Sequence, residues 1–338
     1  MSADSPPNPS DPGESPISIR GLVKSYGRVQ ALRGVTVEVP PGPVGLLGPN
    51  GAGKTTMIKL LLGLLVPTKG EASIAGYSPV KRRDRLAVRT KVGYMPEGDC
   101  LLPGMSGVEL VATLGRLTGL SKQDAMTRAH EALDYVELEE QRYRPLDQYS
   151  TGMKQKLKLA QALAHDPPIL LLDEPTNGLD PAGRRHMLSL IEDLGRIQGK
   201  SVLLCSHLLR DVERTCDHVV VLHQGQVVRT GNVADLTRAD ALRLRVQVSE
   251  SGSSSEQLSS ALVAAGFGAT QSPEHLLVEL PAGSEDADPV FRVAAGCGAI
   301  LTKVEPLRSS LEQIFLEAVG DSAAATGALG ATNEETSA

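Results

Sequence analysis

Apolar and polar residues alternate in two stretches near the start of the chain, and each alternation predicts a strand with one buried face. The first stretch is 17–19 and the second is 35–39. Residues 44–47 are instead continuously apolar and lead into a glycine-rich turn, and residues 57–65 beyond it have the length and composition of a buried helix. A further buried strand is predicted at 92–95, so this part of the chain mixes strands and helices.

A long helical block is predicted for residues 106–165, which contain no convincing strand, with loops at Gly119 and Pro145. The elements predicted beyond it are buried strands at 169–172 and 202–205, a helix that begins between them at Asp180-Pro181, and a hairpin of 218–222 and 226–229 around Gly225. Together these patterns predict an α/β core with an antiparallel β part and a helical insertion.

The pattern restarts near residue 240 and predicts a second, smaller domain of α+β type. Alternating Leu242, Leu244, Val246 and Val248 indicate a half-buried strand. The elements predicted after it are a helix at 256–265, a hairpin at 268–280, a helix at 287–297, a strand at 300–305 and a helix at 309–319. Their order, βαββαβ, is that of a ferredoxin-like unit.

The chain is expected to have four parts. These are a disordered segment at 1–16 rich in Pro, Ser and Asp, the α/β core at 17–235, an accessory ferredoxin-like domain at 240–320, and a disordered tail at 321–338 rich in Ala, Gly and Thr. The length of 338 residues also suggests two folded domains, and 41% hydrophobic residues are enough for a core.

Composition and charge exclude several classes of protein. No apolar run approaches the roughly 20 residues of a membrane helix, and we expect no signal peptide, because the first residues lack a basic flank and an apolar stretch. The net charge of −6 and the absence of Trp argue against a nucleic-acid binder. The four cysteines are scattered without a C-x-x-C pair, which argues against a zinc site or a disulfide framework.

The strongest chemical signal is the segment GPNGAGKTT, which lies between a predicted strand and a predicted helix and fits G-x-x-x-x-G-K-[ST]. Its residues are Gly48, Pro49, Asn50, Gly51, Ala52, Gly53, Lys54, Thr55 and Thr56. The glycines let backbone amides turn toward phosphate oxygens, and the helix adds its positive N-terminal end. In such a loop Lys54 spans the β- and γ-phosphates and the Thr55 hydroxyl binds Mg²⁺.

The second signal is a buried strand that ends in two acids, Asp173 and Glu174. This pattern places Asp173 near the metal, usually through water, and leaves Glu174 to polarise an attacking water as a general base. In isolation the same pattern also describes a strand that ends in a capping acid. The phosphate-loop motif upstream favours the catalytic interpretation.

With these motifs in place, an ordered series over residues 17–235 resembles the nucleotide-binding subunits of the ATP-binding cassette (ABC) transporter family. The further matches are Tyr26 in KSYGRVQAL at the position that stacks on adenine, the joining segment VGYMPEGD at 92–99, the signature YSTGMKQKL at 149–157, the loop Asn177-Gly178-Leu179-Asp180, and the switch histidine in Ser206-His207. Many P-loop proteins share part of this series, such as the phosphate loop, whereas the signature and the histidine narrow the resemblance to this family. Taken singly, Tyr26 also suits a core or turn position and His207 a capping or core position.

The sequence departs from the family pattern in two places. The joining segment carries Glu97 where the family usually has Gln; a carboxylate can still offer oxygen to Mg²⁺ or water, but it brings charge. The signature is usually Leu-Ser-Gly-Gly-Gln, and here Ser150 and Gly152 remain to contact a γ-phosphate. Variants of this kind, and the segment SSLEQIFLEAVG at 309–320, resemble cassettes that serve bacterial exporters of drugs, antibiotics or polysaccharides.

The resemblance implies an ATPase that powers a separate membrane-spanning permease, with ATP and Mg²⁺ as its ligands. Two copies would close head to tail around two ATP molecules. Each site would combine five residues of one copy with Ser150 and Asp180 of the other, and Gly152 of that other copy would contact the γ-phosphate beside Ser150. The five residues are Lys54, Thr55, Asp173, Glu174 and His207, whereas Glu97 would lie between the metal site and the permease. Closing and opening would drive the permease. We therefore expect a cytoplasmic protein held at the inner face of the membrane through its permease, with no contact to nucleic acid or to the transported substrate.

Two other classes are considered. A soluble ABC ATPase that acts on the ribosome usually has two cassettes in one chain, and one that repairs DNA has a long coiled-coil insertion for which residues 106–165 leave no room. A P-loop kinase is disfavoured by the signature at Ser150, and a GTPase by the lack of an Asn-Lys-x-Asp-like motif. The basic run 81–91 either faces anionic lipid or an acidic partner helix, or is a solvated helix face.

Overall fold

The computed structural model describes residues 15–98, 100–237, 243–249, 254–272, 275–281, 286–307 and 311. These residues divide into two compact units, and the division falls between Val233 and Ala234. Nearly all of the segments predicted to be disordered, and all of the helix predicted at 309–319 except Leu311, lie outside the described residues.

The first unit contains nine strands and most of the helices of the described chain. Its strands are β1 (Ile17–Tyr26), β2 (Val29–Val39), β3 (Pro43–Leu47), β4 (Lys69–Ile74), β5 (Val92–Met95), β6 (Ile169–Asp173), β7 (Ser201–Ser206), β8 (His218–His223) and β9 (Gln226–Asn232). Its helices are α1 (Lys54–Leu61), α2 (Arg85–Lys91), α3 (Gly107–Leu117), α4 (Lys122–Tyr135), α5 (Thr151–Leu163), α6 (Pro181–Arg196) and α7 (Leu209–Thr215), and the short α8 (Val233–Leu236) lies at the division.

A six-stranded sheet in the order β5-β6-β7-β3-β8-β9 forms the centre of the first unit. Its strands are parallel except for β9, which pairs antiparallel with β8 through the predicted hairpin. Every residue of β3 and β6 is buried, as expected for strands of a parallel sheet covered on both faces. Because these strands are parallel, the carboxyl ends of β3, β5, β6 and β7 lie at one edge of the sheet, where the predicted motifs follow them.

A second sheet, in the order β2-β1-β4, is entirely antiparallel and corresponds to the predicted antiparallel part. Ile17 on β1 pairs with Val39 on β2 and with Ile74 on β4, and all three side chains are buried. The strand β4 is not predicted from the sequence. Its buried residues are few, since Lys69, Gly70 and Glu71 are exposed, and the alternation is therefore too short to detect.

The helix after the glycine-rich turn is shorter than predicted. It begins at Lys54 and ends at Leu61, whereas the apolar pattern predicts a helix over 57–65. The amides of residues 62–65 turn back to carbonyls of the last turn of α1, and Leu64 is 60% exposed. The apolar run therefore continues into a surface turn, which hydrophobicity alone does not distinguish from helix.

The predicted helical block consists of α3, α4 and α5, with two short 3-10 helices at Glu139–Tyr143 and Leu146–Gln148 between the last two. A serine caps the start of each α-helix: Ser106, Ser121 and Ser150 accept a hydrogen bond from the backbone of the third helical residue. Glu109 completes a capping box with Ser106. These local signals explain where the helices of the insertion begin.

The second unit is a small α+β fold. Its elements are β10 (Arg243–Val248), α9 (Ser255–Ala264), β11 (Gly268–Gln271), β12 (Leu276–Glu279), α10 (Asp288–Cys297) and β13 (Leu301–Leu307). The strands form an antiparallel sheet in the order β11-β12-β10-β13. Leu244 and Val246 of β10 are buried together with Leu258 and Leu262 of α9, so one face of the sheet packs on the helices. The predicted α/β fold class with a small α+β addition is confirmed.

Candidate functional site

The phosphate-loop motif forms a turn between β3 and α1. Pro49, Asn50 and Gly51 are exposed at the tip of the loop, whereas Ala52 is buried. The Ala52 carbonyl accepts a hydrogen bond of 3.0 Å from the Gly225 amide in the β8–β9 turn. The base of the loop is thus held by the hairpin, and its tip is open to a ligand.

Lys54 is the first residue of α1 and is buried, with 7% of its surface exposed. Its Nζ donates to the Gly48 carbonyl at 2.5 Å and lies 3.9 Å from Glu174 Oε1. The Lys54 ammonium therefore lies between the phosphate-loop backbone and the acid that follows β6. Thr56, also in the first turn of α1, is half-buried.

Thr55 and Asp173 face each other across the sheet edge. The Thr55 hydroxyl donates to Asp173 Oδ2 at 3.2 Å, although the two residues are 118 positions apart in the chain. Asp173 is 1% exposed, and its Oδ1 is buried without a hydrogen-bond partner among the described residues. Burial raises the pKa of Asp173 to about 6, and the negative charges of Glu97 and Glu174 act in the same direction against the Thr55 hydrogen bond.

Glu174 follows directly in a strained backbone conformation. Its φ of 51° lies in the left-handed region, which costs a non-glycine residue roughly 1–2 kcal/mol. Its amide donates to the Cys205 carbonyl on β7 at 3.0 Å, which holds the turn against the sheet. Strain of this kind tends to be kept where a side chain must be aimed.

His207 lies beside Glu174, because β7 is the parallel neighbour of β6. Its Nδ1 is 2.9 Å from Glu174 Oε2, and since an ionised carboxylate only accepts hydrogen bonds, Nδ1 is the donor. The His207 side chain is 42% exposed, while that of Glu174 is 6% exposed. The structure thus brings Lys54, Glu174 and His207 into one cluster, next to Thr55 and Asp173.

Glu97 is exposed after the end of β5. Its charge is one of those that raise the pKa of Asp173, so it lies near the cluster. Its backbone carbonyl accepts a hydrogen bond of 2.8 Å from Nζ of Lys158, a buried lysine on α5. The joining segment is therefore attached to the signature helix, which sequence reasoning did not anticipate.

Ser150, Gly152 and Asp180 form a separate group within one chain. Ser150 caps α5 by accepting from the Met153 amide, and Asp180 caps α6 by accepting from the Gly183 amide. Both capping residues are exposed. Among the described residues, no hydrogen bond or ion pair joins these three residues to the cluster of Lys54, Glu174 and His207.

Tyr26 lies at the end of β1 with 47% of its surface exposed. The Lys24 ammonium lies 5.1 Å from the centre of its ring and also donates to the Val66 carbonyl at 2.9 Å. One face of the ring is therefore covered by a cation that is itself held in place. No hydrogen bond or ion pair of the described residues joins Tyr26 to Lys54 or to Glu174.

A buried hydrogen-bond network beside the cluster was also missed by sequence reasoning. Asp211 on α7 is 3% exposed, and its Oδ2 accepts from the Thr176 hydroxyl at 2.8 Å. Its Oδ1 accepts two hydrogen bonds from the Arg184 guanidinium, at 2.7 and 2.5 Å. The one sequence signal is an acid next to the apolar Val212, and that signal is too weak to identify a partner.

The residues of the cluster fit a divalent cation. The buried Asp173 Oδ1 needs a positive partner, and Thr55 Oγ1 supplies a second oxygen 3.2 Å from the carboxylate. Within the described part of the chain, no group of three or more His, Cys, Asp and Glu side chains forms a metal site. Mg²⁺ does not need one, because it commonly binds through one or two protein groups together with substrate phosphates and water.

A glycine-rich loop with a lysine at the start of a helix, facing two acids at the end of a neighbouring strand, defines a P-loop nucleotide hydrolase. The comparisons with known proteins narrow this class. A family model described as ABC transporter matches residues 32–177. Among solved structures, a dimeric post-hydrolysis state of an ATP-binding cassette bound to ADP and Pi is similar with a TM-score of 0.59 and 28% identity, over 64% of this chain and 98% of that chain.

Two relatives extend the similarity. An uncharacterized ABC transporter ATP-binding protein of Bacillus subtilis (strain 168), YxlF, is 35% identical over 311 residues, which cover 90% of this chain and 99% of that protein. The Nod factor export ATP-binding protein I of Burkholderia lata is 39% identical over 218 residues, which cover 64% of this chain and 71% of that protein. The chain belongs to the ABC transporter family, and it is an ATP-binding subunit that hydrolyses ATP.

None of the helices in the described residues is both long enough and apolar enough to cross a bilayer.

Proposed function

We propose that this chain is the ATPase of an exporter, and that it drives a separate permease by ATP-dependent closing and opening of a head-to-tail dimer. The observation that carries the proposal is the cluster in which Lys54 and His207, although far apart in the sequence, each lie within 4 Å of a carboxylate oxygen of Glu174. The similarity to a protein whose name states Nod factor export supports the direction of transport.

Within one chain, Lys54 binds the β- and γ-phosphates, and Glu174 polarises the attacking water. The ion pair of 3.9 Å between Lys54 and Glu174 supports this assignment, because it keeps a phosphate-binding cation next to the proposed base. His207 donates to Glu174 and so fixes the orientation of its carboxylate. Thr55 and Asp173 hold Mg²⁺, which when bound supplies positive charge to the phosphate oxygens.

The nucleotide contacts of one chain are completed by a second copy. Ser150 and Gly152 of that copy present the N-terminus of α5 to the γ-phosphate, where backbone amides and the helix dipole favour an anion. Asp180 of the second copy lines the same interface. Support comes from the exposure of both caps and from their separation from the cluster within one chain. Tyr26 stacks on the adenine base, and Glu97 lies between the metal site and the permease.

The two folded parts of the chain have different roles. Residues 17–235 are the catalytic cassette, and 240–320 are an accessory module that regulates hydrolysis or stabilises the dimer. The permease holds the protein at the inner face of the cell membrane. The chain binds neither nucleic acid nor the transported substrate, so the substrate is selected by the permease.

The proposal is tested by Glu174→Gln, which removes the base but keeps the shape of the side chain. The variant should bind ATP, show a turnover reduced about 10²-fold or more, and accumulate as a closed dimer. Hydrolysis is followed by phosphate release and dimerisation by size-exclusion chromatography with light scattering. The matched control is Glu131→Gln, an exposed helix position that pairs with Arg128. Near-normal hydrolysis by Glu174→Gln would refute the role of Glu174 as the base.

A further inference from the structure

The carboxylate of Asp211 is almost fully buried, and both of its oxygens accept hydrogen bonds. Oδ2 accepts from Thr176 at 2.8 Å, and Oδ1 accepts from Nε and Nη2 of Arg184 at 2.7 and 2.5 Å. A buried charge that is paired and hydrogen-bonded on every side fixes the geometry of its partners, because breaking one contact leaves the others unsatisfied. The network is therefore expected to be rigid.

The three residues of this network, Asp211 and its two partners, belong to three different segments. Thr176 comes two residues after Glu174, and Arg184 lies in the first turn of α6, the helix that Asp180 caps. Asp211 lies on α7, four residues after His207. The network thus ties the turn that carries Glu174 to the helix that follows His207.

The helix α7, which carries Asp211, is itself firmly packed on the central sheet. Val212, the next residue after Asp211, is fully buried against β3, so closely that a Cβ built on Gly45 would lie 2.1 Å from its Cγ1. The His207 side chain, in contrast, is 42% exposed, in a two-residue link between β7 and α7. Its position relative to Glu174 depends on how the two segments are held together.

We propose that Asp211 is a positioning residue that, through Thr176 and Arg184, keeps His207 within hydrogen-bonding distance of Glu174. The proposal rests on the roles given above to His207 and Glu174. Within the described residues, no hydrogen bond or ion pair joins Asp211 to His207 or Glu174, so its effect passes through the segments it joins. Since a displacement of about 1 Å at a reacting group can cost about 10²-fold in rate, loosening this tie should lower turnover markedly.

The first test compares Thr176→Val, which removes only the hydroxyl, with Thr176→Ser, which keeps it. Thr176→Val and Asp211→Asn should each lower kcat for ATP hydrolysis about tenfold or more and leave KM for ATP within about twofold, whereas Thr176→Ser should stay near wild type. The control is Asp217→Asn. Asp217 accepts from Arg196 at 3.0 Å and so joins the opposite end of α6 to the residues after α7. Its kcat should be unchanged.

The second test is independent of hydrolysis. Selective ¹⁵N labelling of histidine reports which ring nitrogen of His207 carries the hydrogen, and the wild type should show the Nδ1–H form. That signature should weaken in Asp211→Asn and Thr176→Val, and persist in Asp217→Asn and Thr176→Ser. An unchanged His207 signal in both Asp211→Asn and Thr176→Val would overturn the proposal. A lost signal with normal kcat would support the positioning by Asp211 and refute instead the catalytic role proposed for His207.

Discussion

The phosphate loop allows a sharp test of its backbone, because two of its glycines differ in their surroundings. Gly53 has a φ of 109°, and a Cβ at this position would lie 2.7 Å from the Ala31 carbonyl oxygen and 2.7 Å from Leu32 Cδ2. Gly51 has a φ of 82°, but a Cβ there would meet no heavy atom within 4 Å. Both alanine substitutions strain the backbone, and only that of Gly53 also forces a steric clash.

The magnitudes follow from these two differences. A positive φ costs an alanine about 1–2 kcal/mol, and the reduced entropy of the unfolded chain returns about 0.4–1 kcal/mol. From the middle of these two ranges, Gly51→Ala should therefore destabilise the protein by about 1 kcal/mol. Gly53→Ala adds the overpacking of a buried contact, typically 1–3 kcal/mol, for a net loss of about 3 kcal/mol.

Thermal melting followed by circular dichroism separates the two variants. For a domain of this size, 1 kcal/mol corresponds to roughly 2–4 °C, so Gly53→Ala should melt about 6–12 °C below wild type and Gly51→Ala at most about 4 °C below. Equal losses in the two variants, or no loss in Gly53→Ala, would show that the contact with Ala31 does not constrain the loop.

Three further predictions concern charge and modularity. Asp173→Asn should raise the melting temperature of the nucleotide-free protein at pH 7.5, because burial raises the pKa of Asp173 to about 6 and folding therefore penalises its charged form. The gain in melting temperature should shrink as the pH falls from about 6 to about 4, where the wild-type carboxyl becomes protonated. A gain that is constant with pH contradicts this. Glu97→Gln, which restores the usual family residue, should keep ATPase activity within an order of magnitude in a phosphate-release assay, and loss of hydrolysis with intact ATP binding would make the carboxylate itself essential. A chain cut after residue 237 should fold and bind ATP with near-normal affinity by fluorescence titration; a folded truncation that no longer binds ATP would refute the accessory role of the second unit.

Much of the site could be predicted because parallel strands bring distant residues to one edge. The apolar runs at 44–47 and 169–172 identify β3 and β6, and motifs that follow such strands must meet at their carboxyl ends. The pairing of Thr55 with Asp173 follows from this rule, although 118 positions separate them. The position of His207 beside Glu174 follows in the same way from β7, the parallel neighbour of β6.

Other features depend on tertiary contacts that no local pattern encodes. The end of α1 at Leu61 is set by a turn within a continuing apolar run, and β4 has too little alternation to be recognised. The network of Asp211 consists of ordinary Thr, Asp and Arg residues, which in most proteins would be solvated. Only their burial and mutual distances show that they act together.

The surroundings of Tyr26 also bear on which nucleotides the protein accepts. Lys24 is anchored on the Val66 carbonyl and covers one face of the ring, so a base can stack on the opposite face. Stacking reads the π-face that every purine has and not the donors and acceptors at its edge, so it discriminates poorly between bases. If Tyr26 and Lys54 contact the base and the phosphates as proposed, we expect the protein to hydrolyse GTP as well as ATP, so that both purine triphosphates could supply the cycle.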